Sequence, residues 1–180
     1  TRAADDPTML ATLILLVLPA LAIVAALKDA TSYTIPNWIS VALIAGFIPA
    51  ALVSHLSLGE VGASVLTGFI FLLAGMGMFA LGWIGGGDAK FMAAAALWLG
   101  WPASGPFILV TAVGGGALSV GLLTLRSNGV RPLILQAPSW VGRLATPKAD
   151  APYGVAICIG ALYAFPLSGL AAGLPLMFPG

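Results

Sequence analysis

Side chains able to do acid–base or nucleophilic chemistry are scarce in this 180-residue chain. It has six acids, one histidine and one cysteine. The acids are Asp5, Asp6, Asp29, Glu60, Asp88 and Asp150. Two of them sit in unusual surroundings. Asp88 follows three glycines in IGGGDAKF (84–91), and Asp29 opens the polar stretch KDATSYTIPN (28–37). Two carboxylates on one face suit hydrolysis. The ionised one takes a proton from water while its protonated partner polarises a carbonyl. That chemistry needs no metal and no covalent intermediate. Close carboxylates resist double ionisation, so such a pair keeps one proton.

Each acid also has a plainer reading. Asp29 follows an apolar run, where a charge often marks an interface. Asp88 precedes another run and suits an N-cap. The glycines could form a phosphate nest. However, Asp88 repels phosphate, and the spacing G-x-x-x-x-G-K-[ST] is absent. Asp150, in TPKADAP, reads as a solvated loop residue, and His55 as an interfacial one. Cys158 stands alone in an apolar run, which excludes an internal disulfide and a multi-cysteine zinc site.

The elements that must position these residues are membrane helices. Sixty per cent of the chain is hydrophobic and 7% is charged. That is the composition of an all-α, polytopic integral membrane protein with about six transmembrane helices. The expected spans are Met9–Leu27, Pro36–Val53, Val61–Ile84, Asp88–Trp101, Pro106–Leu125 and Pro152–Met177. The fourth reaches only about 20 Å against a bilayer core of roughly 30 Å. It is therefore expected either tilted among partners or starting below the membrane surface. In the third, Gly68, Gly75 and Gly82 recur every seven residues on one face, where another helix could approach closely. The chain reads as a single membrane-embedded domain, 1–180, with an outer tail at 1–8. The apolar run after that tail lacks the basic start of a signal peptide and is expected to be retained.

Basic residues set the orientation. Lys28, Lys90, Arg126, Arg131, Arg143 and Lys148 fall in odd-numbered loops, and only Arg2 lies on the other side. Six against one places Asp29, Asp88 and Asp150 on the cytoplasmic side and both termini outside. Loop 126–150 mixes apolar and basic residues. That suits either a segment on the membrane surface or an ordinary basic loop. His55 lies outside, so a Ser–His–Asp or Cys–His site would have to reach across the membrane. The net charge of +1 argues against nucleic acid as a partner.

Together these residues resemble the type IV prepilin peptidase family, membrane aspartic proteases with a G-x-G-D motif. Gly85, Gly87, Asp88 and Lys90 match G-x-G-D-x-K. Asp29 lies six residues before Ile35, which with Pro36 and Asn37 matches I-P-N. Pro152, Tyr153 and Gly154 match P-Y-G at the start of the last helix. The resemblance implies Asp29 and Asp88 as the catalytic pair, with the other matched residues in support and no cofactor. It implies removal of the leader from prepilin or pseudopilin precursors at the cytoplasmic face of the inner membrane. The leader is cut just before the precursor's hydrophobic segment. Larger relatives carry paired cysteines after the first helix and also methylate the new N-terminus. This chain has no such pair and resembles the minimal branch that serves Flp-type pili, so methyltransferase activity is not expected.

The archaeal preflagellin peptidases share these motifs and remain an alternative. A small transporter and a non-enzymatic assembly subunit are the competing classes. The glycines allow a sharp turn and a close substrate strand. Lys90 is open between snorkelling and holding anionic groups. With Asp29 just past a helix C-terminus and Asp88 at a helix N-terminus, the helix dipoles put the shared proton on Asp29.

Overall fold

The computed structural model describes residues 6–125, 127 and 151–173. All regular structure in them is helical. Helices α1 (Asp6–Leu15) and α2 (Val17–Ser32) form almost one rod, interrupted at Leu16. Pro19 lies four residues after Leu15 and has no N–H to give its carbonyl, which accounts for the break. Bonds from Leu16 N–H to Thr12 O and from Ala20 N–H to Leu16 O, both 3.0 Å, carry the ladder across it.

The first helix was expected to stop at Leu27, with Asp29 beyond it. Instead α2 continues to Ser32, and Asp29 lies inside it. The hydroxyls of Thr31 and Ser32 donate to the carbonyls of Leu27 and Lys28 (2.7 and 2.6 Å). Tyr33 then ends the helix in a left-handed conformation (φ 55°), its N–H donating to Asp29 O. Polar residues that read as a loop are here the last helical turn.

Helix α3 (Asn37–Val53) begins after Pro36. Helix α4 (Leu58–Ala80) begins three residues earlier than expected, because Ser57 and Glu60 form a reciprocal capping box. Helix α5 (Gly86–Leu125) contains one non-helical residue, Gly100 (φ 65°, ψ −178°). The chain reverses there. Gly68 of α4 lies against Ala93 and Leu97, and Gly75 against Ala89 and Met92, so the first half of α5 runs antiparallel to α4. Gly100 borders a cavity with Leu56, Glu60 and Gly169, at the end away from the aspartates. By Ser119 the second half has returned to Tyr153, beside them. The expected fourth and fifth segments are therefore both helical. They join at Gly100, not through residues 102–105 as a connecting loop.

Helix α6 (Tyr153–Ala164) runs antiparallel to the second half of α5, with Gly160 against Phe107 and Thr111, and Ala156 against Gly114. It ends far short of Met177. Pro166 lies in a 3₁₀ turn, Phe165–Leu167, and a proline there cannot continue the α-helical ladder. The helices thus give six apolar segments, counting the two halves of α5 separately and α1 with α2 as one. Three helical stretches, Met9–Ser32, Leu58–Ala80 and Gly86–Leu125, are long and apolar enough to cross a membrane. At 1.5 Å per residue the last would be about 60 Å long, two bilayer cores, consistent with its division at Gly100.

The centre of the bundle is the first half of α5, where every residue from Phe91 to Gly100 is buried. Trp98 donates its indole N–H to Leu43 O (2.7 Å) and meets Phe47 edge-on, with centroids 6.4 Å apart. Phe71 of α4 stacks on Phe107 (5.5 Å). The expected glycine face of α4 holds at Gly68 and Gly75. A Cβ on Gly75 would stand 3.0 Å from the Cβ of Ala89. Gly82 departs from it. It lies past the end of α4 at φ +71°, where a Cβ would meet nothing within 4 Å, and it serves the turn instead of the packing.

Candidate active site

Asp29 and Asp88 come together. Both are buried, 3% and 6% exposed, and both line one cavity of about 270 Å³ with Tyr33, Phe79, Trp83 and Tyr153. Asp88 is the third residue of α5 and not its N-cap. Its Oδ2 accepts the N–H of Gly85 (3.0 Å), the residue just before the helix. Asp88 is thus not the N-cap expected, but its carboxylate reaches back to the residue before the helix while it also lines the cavity. A Cβ on Gly85 would stand 2.9 Å from that Oδ2, so any larger residue there would press on the carboxylate.

Asp29 is held from the other end of the chain. Its Oδ2 accepts the N–H of Gly154 in the first turn of α6 (2.7 Å). A Cβ on Gly154 would lie 2.9 Å from that oxygen and 2.8 Å from Ile35 Cδ1, so only glycine lets α6 approach this closely. Both carboxylates therefore meet an N–H at the start of a helix. Asp29 keeps its place in the last turn of α2, and the N–H of Gly154 adds a helix N-terminus that opposes it.

The remaining matched residues join these supports. Ile35 is buried, and its carbonyl oxygen would be 3.1 Å from a Cβ on Gly87, so this glycine lets the GGGD turn lie against the IPN turn. Pro36 caps α3 from an extended conformation. Lys90 Nζ donates to Asn37 Oδ1 (3.0 Å), tying the two motifs together on the exposed rim, outside the aspartate cavity. Pro152 is buried immediately before α6.

Two contributors were not singled out from the sequence. Tyr33 lines the cavity; the signal available was a lone aromatic hydroxyl among small residues close to Asp29. Ser119 donates to Gly115 O (2.8 Å), which leaves the Tyr153 hydroxyl as the donor in their 3.0 Å contact. That bond pins the start of α6, and the sequence offered for it only one hydroxyl in an apolar run. Asp150 and loop 126–150, apart from Ser127, lie outside the described residues. His55 and Glu60 are at the opposite end, with Leu56 and Leu170. Among the described residues no three His, Cys, Asp or Glu side chains gather as a metal site.

A family model matches residues 16–120, a stretch of 105 residues out of 180 that contains both aspartates. It is that of the Type IV leader peptidase family. The chain belongs to this family. No curated protein and no solved structure matches it. The protein is thus a leader-peptidase-like membrane protease, acting on prepilin-like substrates. The matched stretch stops before α6. Gly154, whose N–H holds Asp29, is a part of the candidate site that lies beyond it.

Proposed function

We propose that this leader peptidase is an aspartic endopeptidase that removes the leader from Flp-type prepilins at the cytoplasmic face of the inner membrane. Asp29 and Asp88 are its catalytic pair. One observation carries the reading: two acids from separate motifs are buried in a single cavity, each with one carboxylate oxygen fixed by a backbone N–H. Fixing one oxygen limits rotation of the carboxyl group, which favours reaction geometry over wandering.

In this mechanism the ionised aspartate takes a proton from water, and the oxygen attacks the scissile carbonyl. The protonated aspartate gives its proton to the carbonyl oxygen. The tetrahedral gem-diol then collapses: the leaving nitrogen takes a proton from the first aspartate, and a gem-diol hydroxyl returns one to the second, which restores the pair. Lys90 and Asn37 keep the two acid-bearing turns in register. The basic bias of the odd-numbered loops supports a cytoplasmic site with both termini outside.

Replacing Asp29 or Asp88 by Asn tests the reading. Leader loss from a co-expressed precursor, read by mass, should fall by about 10²–10⁴-fold for each, the scale of general acid–base catalysis. The folded variant should still be recovered from the membrane. Normal processing by either variant removes that residue from the mechanism.

A further inference from the structure

Among the described residues, two apolar grooves on the flanks of the bundle differ in how they lie to the aspartates. The groove of about 640 Å³ beside Asn37, Val41, Phe69 and Lys90 shares no lining residue with the aspartate cavity. The other, of about 480 Å³, lies between α4, the second half of α5 and α6. It shares Ile84 and Tyr153 with that cavity. Resting on the function proposed above, we infer that this second groove docks the apolar helix of the substrate, next to the bond to be cut.

The groove extends along α5 from Phe107 to Ser119. That is about 18 Å of helix, more than half of a roughly 30 Å bilayer core. Its floor is apolar, with Phe71 and Met92 on one side. On α5 it presents the exposed Ala112 and Gly116, small enough for a second backbone to come close. Ile108, at the edge, is 53% exposed, so the groove opens outward, toward the side where a membrane-embedded substrate arrives. A chain in hydrocarbon must satisfy its backbone internally and so arrives as a helix. The aspartate cavity has little over half the volume of the groove. The helix therefore seats in the groove, and the segment that precedes it enters the cavity past Ile84 and Tyr153.

Gly116 is suited to the test, because a Cβ there meets nothing within 4 Å and a larger residue fits the folded protein. The probe is a precursor made of a short basic leader joined to one apolar helix of about 20 residues. Gly116→Leu and Ala112→Leu should raise its KM by about tenfold or more with little change in kcat, the scale of a misplaced methylene or two in an apolar pocket. Val41→Trp, in the other groove, should change neither. A photo-crosslinker at 116 in the Asp88→Asn protein should capture the precursor's apolar helix, and one at 41 should not. Capture from 41 instead, or from neither, overturns the inference, as does a wild-type KM in both leucine variants. The crosslink is read without turnover, so it stands apart from the catalytic roles of Asp29 and Asp88.

Discussion

The two halves of α5 are both largely apolar and differ in surroundings. From Phe91 to Gly100 every residue is buried within protein. After Gly100, Trp101, Ile108, Leu109, Val113, Val120 and Leu123 all stand more than half exposed. What separates the halves is position, the first at the centre of the bundle and the second on its flank. The first carries Ala93 to Ala96 in succession, which lets neighbouring helices close in from every direction. The second places large aliphatic side chains outward and keeps Gly114 and Gly115 toward α6. In a chain whose surroundings are themselves apolar, hydrophobicity alone does not report burial.

Substitutions that respect apolarity but change size separate the two halves. The largest effect should come from Trp98→Ala. It empties a fully buried site and removes the donor to Leu43 O, so it should cost about 3–5 kcal/mol in reversible unfolding in detergent. A loss below about 1 kcal/mol would mean that the first half is not packed as described. Gly100→Ala should come next. Its φ and ψ lie in a region open almost only to glycine, so a loss of about 1–3 kcal/mol is expected by the same measurement. No loss would show that the chain turns elsewhere. The smallest effect belongs to Val113→Ala, in the outward half, which should stay within about 0.5 kcal/mol. A cost like that of Trp98→Ala would place Val113 in a contact and erase the contrast.

Much of the site could be read in the sequence because its motifs are short and local. Three glycines before Asp88, and Asp29 ahead of Ile35-Pro36-Asn37, were enough to select the pair that shares a cavity. The apolar segments were equally legible, since a lipid-spanning length is a property of composition. Helix ends were not. Thr31 and Ser32 look like loop residues, yet their hydroxyls bond back to the helix and extend α2 past Asp29. Pro106 looks like a helix start, but the chain has already turned at Gly100, where a single dihedral decides the matter. Gly82 keeps the seven-residue spacing of Gly68 and Gly75 while lying beyond the helix. Spacing alone cannot tell where a helix stops.

The bond from Gly154 to Asp29 joins residues 125 positions apart, and this has a consequence for biosynthesis. Membrane helices enter the bilayer in the order they are made. When residues 1–125 have emerged, both aspartates are present, but the N–H that holds Asp29 has not been translated. The nascent protein therefore lacks a finished site until its last apolar segment is in place. A copy that stalls or is cut before that point carries both acids and still leaves Asp29 without that anchor. On the function proposed above, synthesis of α6 acts as a safety catch on the protease.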